Sequence, residues 1–290
     1  MKNLFLYLLL ISQTILFSQK GLDRNTIYLL IKMDDVGMCH AANLGAEKVM
    51  QTGMPVNAGL QVPCSWYPEA VELVKKYPNV AVGLHMAINA EWKNYKWRPV
   101  AGFQNVPSLV DKQGYFHHEN LWWWKDSIKK EDLERELAAQ AQAVKLSGIQ
   151  VDYVEGHMGS SRTTPMFMEA YEKIAKEFNA MMTGYNGEKR LSFKNTTYEE
   201  ALREILAKMD TLKKGNIYLL TIHPGAVTDE MKALALDDKE SHQESIARER
   251  DIDVQVICSP EFKAMIEKKK IKVINYREVK ELTGISYARP

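Results

Sequence analysis

The sequence predicts a single-domain α/β protein built on a mainly parallel sheet, and three observations carry that prediction. Apolar strand-like runs alternate steadily with helix-like segments. At 290 residues the chain has the length at which an α/β barrel closes as one domain. No internal repeat, low-complexity tract or flexible linker divides it. A barrel and a doubly wound sheet both satisfy these observations.

The elements follow in order. The opening "MKNLFLYLLLISQTILFSQK" puts Lys2 ahead of an apolar run from Leu4 to Phe17, broken at Ser12, Gln13 and Thr14. This is the pattern of a secretory signal peptide over residues 1–18. Cleavage after Ser18 leaves 19–290 as the mature domain, exported to the periplasm or beyond the cell and without stable membrane insertion. Seven strands are expected: Thr26 to Met33, Pro55 to Val62, Asn79 to Leu84, Gln150 to Glu155, Ala180 to Gly184, Asn216 to Ile222 and Ile271 to Asn275. Between them, "KEDLERELAAQAQAVKLSG" repeats Leu133, Leu137, Ala141 and Val144 at helical spacing and ends on Gly148. The segment "SPEFKAMIEKKK" opens with Ser259 as cap and Pro260 at the first helical position. From Asn89 to Asp126 the rhythm breaks in a stretch rich in aromatics, Gly and Pro, which reads as an ordered loop over the site.

Composition narrows the partners. With 38 Lys+Arg against 37 Asp+Glu the chain has no basic excess to hold nucleic acid. The three cysteines, Cys39, Cys64 and Cys258, lack metal-type spacing and are expected to be buried small hydrophobes.

Polar signals stand where four strands run out: Asp34 and Asp35 after "IYLLIKM", His85 after "VAVGL", His157 after "VDYVEG" and His223 after "IYLLTI". Ligands bind at the carboxyl ends of parallel strands, so these side chains are expected to converge. Two imidazoles and one carboxylate form an open site for a divalent metal, completed by water. Successive strand residues point opposite ways, so one aspartate can ligand the metal while the other takes a proton.

The segments "IKMDDVGMCHAANLGAEKVMQTG", "VAVGLHMAI", "VPSLVDKQGYF", "VDYVEGHMG" and "TIHPG", in this order, resemble the YdjC-like (ChbG) carbohydrate deacetylases over nearly the whole chain after the leader. The resemblance implies a distorted, TIM-barrel-like (β/α) barrel of about seven parallel strands. It also implies metal-dependent removal of acetyl groups from N-acetylated amino sugars and oligosaccharides. On the family's motifs Asp34 corresponds to the general base, Asp35, His85 and His157 to the metal ligands, and His223 to a second catalytic residue beside the acyl group. This chain departs from the family pattern in having Glu155 in place of an aspartate and Gly159 in place of a second histidine.

Imidazole ligands point to zinc, while a carboxylate and open water positions also accommodate magnesium. Flat aromatics stack on sugar faces, which makes Trp92, Trp97, Tyr115 and Trp123 candidates for substrate binding, with Arg162 reaching a hydroxyl or carboxylate. The expected partner is an acetylated oligosaccharide, and a homodimer is compatible with the sequence. Two alternatives remain open: an ester or phosphoester hydrolase using the same metal, and a sugar-binding protein of this fold without catalysis.

Overall fold

Residues Ile27–Val36 form strand β1, and all ten are buried. A strand covered on both faces reads as a continuous apolar run rather than an alternation, as "IYLLI" does. The computed structural model describes residues 21–118, 125–194, 196–235 and 245–284. The expected leader at 1–18 and the candidate Trp123, with its neighbours Trp122 and Trp124, lie outside the described residues.

Seven further strands follow: β2 (Val56–Leu60), β3 (Val80–Met86), β4 (Tyr153–Gly156), β5 (Met181–Met182), β6 (Lys189–Leu191), β7 (Asn216–Ile222) and β8 (Ile271–Ile274). All their pairings are parallel. The sheet is a curled half-barrel whose path runs β5-β4-β3-β2-β1-β7-β6, with β8 joined to β1. This is the distorted TIM-barrel-like single domain that the sequence led us to expect. Among the described residues, β5 and β6 at the ends of the path share no ladder. The helices are α1 (His40–Met50), α2 (Tyr67–Lys76), α3 (Lys130–Ser147), α4 (Pro165–Glu177), α5 (Tyr198–Asp210), α6 (Asp229–Lys232), α7 (Ser245–Cys258), α8 (Pro260–Lys269) and α9 (Tyr276–Thr283). None among the described residues is long and apolar enough to cross a membrane.

The two edges of β1 are used differently. One pairs with β7 over Ile27 to Met33. The other pairs with β8 over Ile27 to Leu30 and with β2 from Lys32 onward. Asn57 fills the fork: its Nδ2 donates to Ile31 O (3.0 Å) and its Oδ1 accepts from Tyr276 N (2.8 Å). Backbone groups that lose their ladder partner where one strand gives way to another are thereby satisfied.

The expected helix signals are present. Gly148 ends α3 in the left-handed region at φ 71°, and Ser259 Oγ accepts from Phe262 N (3.2 Å) at the start of α8. Strand β6 was not expected, because Lys189 and Arg190 are exposed and only Leu191 is buried, leaving no apolar run to read. Cys39 and Cys64 are buried as expected, but Cys258 is exposed at the end of α7, which corrects that expectation.

Two acids on α3 hold the long loop. Asp132 accepts from Ser108 N (2.9 Å), and Glu136, one turn on, accepts from Val100 N (3.1 Å) and Ala101 N (2.9 Å). Gln140 donates to Glu136 as well (2.7 Å). Burial pushes the Glu136 carboxyl up to about 7 against these three donors.

Two predictions follow from this packing. Asn57→Ala, which strips both hydrogen bonds from the fork, is expected to lower unfolding free energy by about 2–4 kcal/mol, read by urea denaturation. Because the folded value of Glu136 lies above that of an unfolded glutamate, its stabilisation is complete below about pH 4.3 and is lost as pH rises through about 7. Wild type should therefore lose about 2–3 kcal/mol relative to Glu136→Gln between pH 4.5 and 8; a constant difference would contradict it.

Candidate functional site

The carboxyl ends of β1, β3, β4 and β7 open into one cleft of about 560 Å³, lined among others by Asp34, Asp35, His85, His157 and His223. The convergence expected from the strand ends is therefore present. Lys32 and Asp34 share a face of β1, as residues two apart must. The register then shifts between Met33 and Val36, and Asp35 adopts a left-handed φ of 61°. Aspartate tolerates that region better than most residues, at a cost of about 1–3 kcal/mol. The shift sends the two carboxylates to different neighbours.

Asp35 faces the imidazoles. Its Oδ1 lies 3.2 Å from His85 Nε2 and 3.3 Å from His157 Nδ1, and those nitrogens are 3.0 Å apart. Metal–ligand bonds of about 2.0–2.2 Å separate adjacent donors by about 3.0–3.4 Å, so the three mutual distances fit one divalent cation. Asp35 Oδ1 is also buried and without a directed hydrogen bond, as an atom reserved for a cation would be. The other oxygen, Oδ2, accepts from Arg250 Nη2 on α7 (2.6 Å).

The outer nitrogens of both rings are held by carboxylates. His85 Nδ1 lies 3.0 Å from Glu155 Oε1, and His157 Nε2 lies 2.9 Å from Glu91 Oε2. Carboxylates so placed orient metal-binding imidazoles and raise their basicity. Glu155 needs an absent side chain beside it: a Cβ at Gly59 on β2 would come within 2.7 Å of its Oε1. Directly after His157 the chain turns through Met158 and Gly159, both at positive φ (50° and 72°), so Gly159 meets a conformational need where the family pattern has its second histidine.

A second group of acids, Asp34 and Glu155 with His85, offers a rival cation site. It already holds one: the buried ammonium of Lys32 donates to Asp34 and to Glu155.

The electrostatics follow from these contacts. Burial opposes ionisation of Asp35, but Arg250 and the two histidines hold it well below the usual carboxylate range. For Glu155 burial is likewise outweighed by Lys32 and His85, leaving it at about 2. Asp34 is raised instead, by burial and by the Glu155 charge, which Lys32 only partly offsets. Burial disfavours the imidazolium of His85, yet Asp34 and Glu155 carry it to about 9; Glu91 and Asp35 carry His157 to about 10. His223 lines the cleft and reaches solvent, and neighbouring groups that displace part of its water lower it despite the attraction of Asp35 and Asp34. Its backbone N–H is fixed by Asp253 Oδ2 (2.8 Å).

The substrate candidates fall differently. Trp92 and Arg162 line the cleft. Trp97 is buried behind it, edge-on to His157 at 6.1 Å. Tyr115 is not among the lining residues and carries the Arg98 guanidinium 4.0 Å above its ring. Sequence reasoning missed Lys32, Glu91 and Arg250, and gave Glu155 no task. A lysine inside an apolar strand was a readable signal; Glu91 and Arg250 carried none.

The family model described as YdjC-like protein matches residues 28–268. A carbohydrate deacetylase of Brevibacillus brevis is 25% identical over 259 residues, covering 87% of this chain and 99% of that one. A carbohydrate deacetylase of Vibrio vulnificus is 23% identical over 260 residues, covering 87% and 96%. Among solved structures, an Enterococcus faecalis protein described as a candidate for cellobiose-phosphate cleavage superposes with a TM-score of 0.71 at 19% identity, covering 88% of this chain and 99% of that one. At that identity the likeness speaks for the fold alone.

Lys32→Met would leave Asp34 and Glu155 buried and facing each other without their cation. We expect a loss of about 3–5 kcal/mol at pH 7 that eases toward pH 5 as one carboxyl takes a proton. Adding Glu155→Gln should restore part of it; equal stability of wild type and Lys32→Met in urea at pH 7 would rule this bridge unimportant.

Proposed function

The chain belongs to the YdjC-like protein family, and from that premise we propose that it is a metal-dependent hydrolase removing acetyl groups from N-acetylated amino sugars and oligosaccharides. The observation that carries the reading is the Asp35, His85 and His157 triad, three donors 3.0–3.3 Å apart with both imidazoles braced from behind, beside a second carboxylate of raised basicity. The carbohydrate deacetylases among its relatives support the choice of bond and substrate. The leader pattern supports an exported protein acting in the periplasm or outside the cell.

A divalent cation on the triad, zinc in keeping with its nitrogen donors or magnesium as the harder alternative, would polarise water and the acetyl carbonyl. Asp34 is the general base. Its raised affinity for protons suits it to take one from the attacking water, and Lys32 fixes its carboxylate in place. As the new C–O bond forms and the C–N bond breaks, that proton must reach the leaving nitrogen. His223, held neutral at rest within the field of Asp34 and Asp35, passes it on. The products are acetate and a free amine. Trp92, buried in the cleft lining with the Arg250 guanidinium 5.7 Å from its ring centre, would border the sugar.

Acetate release from N-acetylated chitooligosaccharides is expected to stop with chelator and return with zinc. Asp34→Asn should lower kcat by about 10²- to 10⁴-fold with metal stoichiometry retained, and Asp35→Asn should lose the metal. Affinity for the metal should rise from pH 6 to 9 as His85 and His157 release their protons. No acetate from any sugar despite stoichiometric metal would overturn the assignment.

A further inference from the structure

The lysine and arginines that line the cleft are of two kinds. Lys32 and Arg250 are buried and matched, Lys32 by Asp34 and Glu155 and Arg250 by Asp35. Arg162 and Arg190 are exposed, and among the described residues neither has a carboxylate within ion-pair distance. Charge is thus balanced deep in the cleft and left over toward solvent.

Arg162 is nevertheless seated. Its Nη2 donates to Thr183 O (2.8 Å), and its guanidinium carbon lies 5.2 Å from the centre of the Tyr185 ring. The seat exists because residue 184 is glycine at φ 78°: a Cβ there would come within 1.9 Å of Nη2. Arg190 comes from β6, the strand paired beyond β7 at the end of the sheet, and among the described residues its side chain makes no hydrogen bond or ion pair. Glu188, also in the lining, is occupied by four donors: Gly184 N, Asn186 N, Asn186 Nδ2 and Tyr276 Oη. Two guanidinium groups and one carboxylate leave a single positive charge at this end. That suits a monoanion, whereas a phosphate monoester brings nearly two negative charges toward a cleft already lined by Asp34, Asp35, Glu91 and Glu155.

We propose that Arg162 and Arg190 bind a carboxylate carried by the sugar, so that the substrate is an acetylated oligosaccharide containing a uronate or another carboxylated residue. The fork of a guanidinium matches a carboxylate in two parallel hydrogen bonds, which gives position as well as affinity. The proposal rests on the deacetylase reading of the same cleft.

The test compares diacetylchitobiose, an N-acetylglucosamine–glucuronate disaccharide and diacetylchitobiose 6-phosphate as substrates of the metal-loaded enzyme. The uronate sugar is expected to exceed the neutral one in kcat/KM by about tenfold, through KM, with the preference shrinking in high salt. Arg162→Gln and Arg190→Gln should each reduce the ratio several-fold; Arg190→Gln breaks no side-chain hydrogen bond or ion pair among the described residues, and unchanged urea stability of that variant keeps folding effects out of the comparison. Calorimetry with the deacetylated uronate disaccharide reads the arginines without turnover. Binding that needs both arginines but no acetate release from any sugar would sink the deacetylase reading alone. Acetate release with equal kcat/KM for uronate and neutral sugars, equal losses on both in the variants, or a preference for the phosphate would overturn the carboxylate proposal alone.

Discussion

Four carboxylates, Asp34, Asp35, Glu91 and Glu155, are buried around one end of β1, and the arrangement of the cleft depends on how their charge is met. Adjacent carboxylates repel, and removal from water makes the repulsion stronger. The left-handed turn at Asp35 separates the pair, so that Asp34 meets the Lys32 ammonium and Asp35 meets Arg250. The doublet persists because its members have different counter-ions. One consequence is chemical: the same separation leaves Asp34 basic and Asp35 acidic, two dispositions from one residue type in adjacent positions.

The support extends outward in chains of contact. Glu155 connects His85 to Lys32, so a change at the lysine reaches an imidazole through one side chain. Glu91 connects His157 to the long loop, and that loop is tied to α3 through Asp132 and Glu136. The surface helix thereby shares in the orientation of a ring in the cleft. Loops that carry site residues hold their geometry only when anchored to rigid elements, and here the anchors are buried acids one helical turn apart.

Much of this was legible in the sequence. Long apolar runs at β1 and β3 marked their strands because burial on both faces requires such runs, and β7, less fully covered, still read as one. The residues at their carboxyl ends marked the cleft, because parallel strands all point the same way. Strand β6 escaped notice because its polar residues face solvent and the cleft, and its pairing with β7 is a tertiary fact. Arg250 and Glu91 escaped for a related reason: their partners lie 215 and 66 residues away, and nothing local distinguishes them from surface charges. Tyr115 was read as a sugar platform from its type, yet a neighbouring arginine takes its face.

The fork at Asn57 bears on the order in which the molecule can assemble. Among the described residues strand β1 is the first and β8 the last, yet they are paired over Ile27 to Leu30. Half of one edge of β1 therefore stays open until residues 271–274 have left the ribosome, and Asn57 has only one of its two hydrogen-bond partners until Tyr276 arrives. Contacts between such distant segments make for slow closure. A nascent chain of this design cannot complete the pairing of its central strand until β8 has been made.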